Sequence, residues 1–256
     1  MSGRFIFPTS YSPWLASRLK GQLPELSATC ANCAMVKPTG LTRDKGPFKN
    51  NLKCCTYFPY IPNFSLGEIN QAKIAQALDR GVLLPVGLFP SVKHQAFVDQ
   101  MGSKAFGRKQ ELLCPFFDSP KNQCSIWETR PAVCTTYFCK SDYGQSGLDF
   151  WADVEKYLNH FEWQLACEVI FQMGMTTNEI AYCQGVVSEE TEEDERESFL
   201  QAAWGKWFHR KQEFFVEARK VALTFDSQKI ETFLGAEFLE LENKISKFSQ
   251  LIPSLI

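Results

Sequence analysis

Four cysteines fall within the 26 residues from Cys114 to Cys139, in the run CPFFDSPKNQCSIWETRPAVCTTYFC, with Cys124 and Cys134 between them. Pro115, Pro120 and Pro131 interrupt the run, and each lacks an amide donor and crowds the preceding turn. That excludes one continuous helix and a central strand. With no regular ladder available, the order of this segment must come from its side chains. Upstream stand Cys30-Ala-Asn-Cys33 and the adjacent pair Cys54-Cys55, so eight of the ten cysteines lie in the first 139 residues. The eight read as metal ligands, and the rest of the chain as what folds around them.

The 256 residues are enough to bury a core without a metal, so the cysteines do not answer a shortage of apolar surface. A net charge of −2 gives no global attraction to nucleic acid or to an anionic membrane. The N-terminal stretch MSGRFIFPTSYSPWLASRLKG has no apolar region followed by a small-residue cleavage site, and no later segment approaches the length of a bilayer span. The expectation is a cytoplasmic protein with no membrane association. In a reducing compartment clustered cysteines favour metal over disulfides.

Residues 1–29 read as an irregular arm with a short helix around Ser12–Leu23, its Phe5, Phe7, Tyr11 and Trp14 packed on the body. In Cys30-Ala-Asn-Cys33 two intervening residues let one tight turn direct both sulfurs at one ion. A redox pair of thioredoxin type needs a strand before and a helix after, and Pro38-Thr-Gly40 breaks the segment. Residues 37–53 form a basic loop with Lys37, Arg43, Lys45, Lys49 and Lys53, read as solvated, with contact to phosphate or an acidic partner as the functional reading. Cys54 and Cys55 are neighbours, and in an extended chain they point to opposite faces, so the expectation is two sites or divided roles.

Ser65-Leu-Gly-Glu68 has the form of a capping box that starts a short helix ending near Gly81. Val82 to Val92 is apolar with room for a short strand, Gln110–Leu113 is strand-like, and the lone His94 reads as a surface or core residue. Beyond Cys139 the pattern is helical. Trp151, Val154, Leu158, Phe161, Leu165, Val169 and Met173 mark a helix over 148–173, closed by Gly174. A second helix is expected over 188–223 and a third over 227–252. The fold class is therefore mainly α: an irregular metal-stapled cysteine-rich region with short helices and little strand, packed on a C-terminal bundle of about three long helices. The division is 1–145 for the cysteine-cluster region and 146–256 for the helical region, with one continuous domain as the alternative. Cys167 and Cys183 have no partner at ligand spacing and read as small buried hydrophobes.

The order CxxC, CC, CPF, a cysteine before Ile126-Trp127-Glu128-Thr129-Arg130-Pro131, and then Cys134-Thr-Thr-Tyr-Phe-Cys139 resembles the YkgJ-type cysteine-cluster proteins. These are described as zinc- or iron-chelating domains and as iron–sulfur-cluster-containing proteins. The resemblance covers residues 30–140 and implies Cys30, Cys33, Cys54, Cys55, Cys114, Cys124, Cys134 and Cys139 as ligands. Twenty residues separate Cys33 from Cys54, where the family keeps the two motifs close. Flagellin lysine methylases carry a similar cluster, which supplies lysine N-methylation as the enzymatic alternative.

All-thiolate ligation suits zinc or an iron–sulfur cluster and argues against magnesium and calcium. His94, His160 and His209 all lie outside the cluster, which disfavours a catalytic zinc with imidazole ligands. Glu128 and Arg130 are candidates for supporting the thiolates, or for pairing with each other. The functional expectation is a metal-binding protein with an iron–sulfur cluster, ahead of zinc, in a structural or electron-transfer role. A protein partner of unknown identity fits such a role, nucleic acid does not, and the sequence names no reaction.

Overall fold

In the computed structural model, residues 11–15, 18, 32–176, 178–179 and 193–251 are described. Cys30, Cys183, Phe5 and Phe7 lie outside them, as does the start expected for the second long helix. Among the described residues 56% are helical and 7% are in strands, so the fold is mainly α. No helix among them is long and apolar enough to cross a membrane.

The chain is built on one helix. After the single turn α1 (Ser12–Leu15) come β1 (Ile61–Pro62), α2 (Asn63–Leu66), α3 (Gln71–Ala77), β2 (Gly81–Leu84), β3 (Gly87–Pro90), α4 (Val92–Met101), β4 (Phe117–Asp118), β5 (Gln123–Cys124) and α5 (Ala132–Thr135). Then follow α6 (Gly144–Gln172), α7 (Glu193–Trp204), α8 (Lys211–Ala222) and α9 (Ser227–Leu251). At 29 residues α6 is about 43 Å long, and it buries a continuous stripe through Trp151, Val154, Leu158, Phe161, Leu165 and Val169. Against this stripe pack α9, α8, α5 and β1.

Burial of the aromatic residues is what the periodicity of the C-terminal half encodes, and the stacks are explicit. Tyr157 lies on Phe238 of α9 at 4.0 Å between ring centroids, and Phe150 on Phe248 at 4.9 Å. Two expectations need correction. The helix expected over 188–223 is two helices, because Gly205 adopts φ 47° and a short 3-10 turn at Gly205–Trp207 redirects the chain before α8. In α9 the backbone leaves helical geometry at Gly235, with φ 76° and ψ 177°, so the helix is kinked there.

The N-terminal segments are held onto this body by side chains. Tyr11 and Trp14 are buried as expected, and the Trp14 indole N–H donates to the Ala222 carbonyl at 3.1 Å. The apolar stretch at Val82 makes a hairpin: β2 and β3 pair antiparallel with Val82 opposite Phe89, and β1 joins with Ile61 opposite Leu88. Ser65 is not a helix cap. It lies inside α2 and is buried, while Asn70 caps α3 by accepting from the Ala72 amide at 2.9 Å. Gln110–Leu112 is a 3-10 turn rather than a strand, since Gln110 and Glu111 face solvent and only Leu112 turns inward. The buried apolar residues of both halves, from Phe116, Ile126 and Phe138 to Trp151, Phe161 and Phe238, form one cluster.

Candidate metal centre

Three cysteine-bearing segments meet through backbone hydrogen bonds. The Cys114 amide donates to the Cys55 carbonyl at 2.8 Å, which fixes the two segments side by side. In the β4–β5 hairpin Phe117 pairs with Cys124, and the Ser125 amide and hydroxyl both donate to the Phe116 carbonyl at 2.8 and 2.7 Å. The hairpin thus carries Cys124 back alongside Cys114. Its turn uses Asn122 at φ 52°, a left-handed conformation that asparagine tolerates.

The third segment follows Pro131, which precedes the single turn α5 and places Cys134 on it. The first amide of that turn, Ala132 N–H, donates at 2.9 Å to Glu162 Oε1 of α6. Tyr11 OH donates to the same oxygen. Glu162 is 1% exposed, and burial raises its carboxyl to about 8. Thr135 and Thr136 hydroxyls bond back to the carbonyls of Arg130 and Ala132, which stiffens the turn. Beyond it, Phe138 stacks on Trp151 of α6 at 4.0 Å between centroids.

These three segments enclose a cavity of about 410 Å³ lined by Cys54, Cys55, Cys114, Cys124 and Cys134. Its other walls are apolar, chiefly Phe106, Phe116, Phe117, Ile126 and Val133. Arg43, Lys53 and Arg130 bring positive charge to it. Arg130 is fixed over the Trp127 ring at 3.6 Å, and Lys53 is buried with its ammonium on the Asn122 carbonyl at 2.8 Å. Arg43 pairs with Glu155 of α6, stacks on Tyr137 at 4.8 Å and donates to the Thr136 carbonyl at 3.2 Å. The basic loop is therefore solvated only in part, because Arg43 and Lys53 turn inward to the cysteines.

The expectation that Cys54 and Cys55 divide between faces is also corrected. The chain is not extended there: residues 51–54 form a turn and Lys53 adopts φ 55°, so both thiols reach the same cavity. Cys55 donates to Cys54, which lowers the Cys54 thiol and, together with burial, raises that of Cys55. Burial pushes Cys114 up to about 12 and raises Cys124 and Cys134, with the neighbouring sulfurs adding to each. Opposing this, the Phe116 amide donates to the Cys114 sulfur and the Ile126 amide to the Cys124 sulfur. Cys134 is exposed only in the sense that it opens into the cavity.

Cys33 and Cys139 are not among the lining residues. Cys139 donates to Cys33, and this bond, opposed by burial and helped by the Met35 and Val36 amides, brings the Cys33 thiol down to about 6. Cys30 lies outside the described residues. Among the described residues all eight cysteines are free thiols, and no three His, Cys, Asp or Glu side chains are disposed to hold one metal ion. Cys167 is half-buried on α6 away from the cavity. His94, at 8% exposure, packs against Phe58 and is not among the cavity's lining residues.

The donor set fits a thiophilic metal group. Five thiols line one cavity, Lys53 and Arg130 bring positive charge not shared with Glu155, and two buried oxygens at the wall, Asn122 Oδ1 and Tyr137 OH, meet no hydrogen-bond partner among the described residues. Glu162 escapes a motif search. It is detectable only as an acid at helical spacing from Leu158 and Leu165, on a stripe that is otherwise apolar.

Residues 49–152 match the family model CxxCxxCC, whose description reads "Putative zinc- or iron-chelating domain". The matched segment contains all five cavity cysteines and Cys139. Cys30 and Cys33 precede it. No curated protein and no solved structure matches the chain.

Proposed function

From a segment that matches a zinc- or iron-chelating family, we propose that the protein binds an iron–sulfur cluster with a structural or electron-transfer role. Cys54, Cys55, Cys114, Cys124 and Cys134 would hold it, and Cys30, Cys33 and Cys139 are further ligand candidates by the resemblance. The observation that carries this reading is the single cavity lined by five thiols. Five exceed the four that a tetrahedral zinc takes, and about 410 Å³ accommodates a group of several atoms.

Such a group supplies one-electron chemistry or a covalent staple between segments. The chain's own residues do the rest. Lys53 and Arg130 offset the thiolate charge, the amides of Phe116 and Ile126 bond to sulfur, and aromatic side chains form much of the wall. The lysine N-methylase alternative rests on resemblance alone and gains nothing from the cavity.

Anaerobic purification with elemental and sulfide analysis and a visible spectrum tests the proposal. Expected are iron and acid-labile sulfide in similar amounts, with both reduced in Cys114→Ser and Cys134→Ser. Colourless protein with stoichiometric zinc overturns the cluster and keeps metal binding. Folded protein that takes up neither metal overturns both.

A further inference from the structure

A second cleft, of about 620 Å³, opens beside the β2–β3 hairpin, and no cysteine lines it. Three cations from three separate elements line it: Arg80 just before β2, Lys93 in the first turn of α4, and Arg196 in the first turn of α7. Asp79 and Glu111 also line it, yet among the described residues none of these five charged groups forms an ion pair. Elsewhere Arg18 pairs with Glu242, Arg43 with Glu155 and Arg219 with Glu68. Three cations against two carboxylates leave the cleft a net charge of +1 among the described residues, which favours a small anion there.

We propose that this cleft binds a small-molecule oxyanion, a phosphate or carboxylate on an apolar body. Arg80, Lys93 and Arg196 hold the anionic head, and Leu78 and Phe97 receive the body. Arg80 is already oriented, because one guanidinium nitrogen donates to the Leu113 carbonyl at 2.9 Å and leaves the remaining donors for a ligand. His94 is held edge-on by Phe58 at 5.8 Å between centroids. Burial and then Arg80 lower its pKa, so it offers a hydrogen bond without adding charge. Lys93 and His94 sit in the first turn of α4, whose dipole favours an anion at that end. The two carboxylates reduce the field, so the head carries one or two charges and is not a polyphosphate.

The test uses the full chain purified with its metal, titrated at fixed ionic strength with phenyl phosphate, inorganic phosphate and benzoate and followed by calorimetry. Saturable binding of phenyl phosphate, tighter than that of inorganic phosphate, is expected for a phosphate head. Stronger binding of benzoate would assign a carboxylate head in the same place. Arg196→Gln and Lys93→Gln should each weaken binding about tenfold, the loss of one charged hydrogen bond, with unchanged circular dichroism and metal content. If Arg196→Gln perturbs the fold, Lys93→Gln, on an exposed side chain, carries the same comparison. Absence of saturable binding by phenyl phosphate and benzoate alike overturns the proposal. So does an affinity that neither substitution changes.

Discussion

Replacing Glu162 by glutamine should change how stability depends on pH, and the structure sets the size of the change. Tyr11 OH and Ala132 N–H both donate to Oε1, which leaves Oε2 to carry a proton. Burial raises this carboxyl to about 8, whereas in the unfolded chain it titrates near 4.5. Between those values the folded protein holds a proton that the unfolded chain has released. Raising the pH therefore favours unfolding: the contribution of Glu162 is complete below pH 4.5, declines through pH 8, and is constant above. The slope is about 1.4 kcal/mol per pH unit for one proton and flattens as pH 8 is reached, for about 2 kcal/mol in all between pH 6 and 8. Glu162→Gln keeps an oxygen acceptor for both donors and does not titrate. Urea unfolding of the two proteins at pH 6, 7 and 8 isolates the difference, because every other titrating group is common to both. The glutamine variant should gain on the wild type steadily as pH rises. A constant gap across that range would refute a buried, protonated Glu162.

Two further outcomes follow from the packing. Asn63→Leu should cost about 2 kcal/mol in urea unfolding, because the buried Asn63 amide donates to the carbonyls of Pro85 and Ala166, and only the latter keeps its helical bond; a loss below about 0.5 kcal/mol would contradict it. Chelation of the metal should raise hydrogen exchange first across residues 114–139, where the regular elements are only two to four residues long, and later across α6, and simultaneous loss of protection would count against that order.

The C-terminal half was legible because its aromatic residues recur at helical spacing and helical burial is what such spacing requires. The same feature concealed the break at Gly205. Trp204, Trp207, Phe208, Phe214 and Phe215 continue an apolar pattern straight through a turn, since residues on both sides of the turn pack into one core. Ser65 misled for a related reason. A capping signature predicts a cap only where the serine is free to meet the helix amides, and Phe64 and Leu66, both fully buried, draw Ser65 into the core instead.

The cysteines announced the site, but their companions could not be found by spacing because they come from elsewhere in the chain. What joins the cluster to the body is one face of α6. Trp151 stacks under Phe138, Glu155 pairs with Arg43, and Glu162 accepts the first amide of the turn that bears Cys134. Positions 151, 155, 158 and 162 follow the four-and-three alternation of a single helical face, on which Leu158 is the ordinary occupant and the two acids are the exceptions. An acid on the buried stripe of a helix is costly unless a donor awaits it. The loops around the cysteines have few ladder bonds of their own, so their donors are the ones available: the Arg43 guanidinium and the Ala132 amide. Each acid therefore satisfies itself by holding a cysteine-bearing loop, and the rigid helix passes its position on to Cys134.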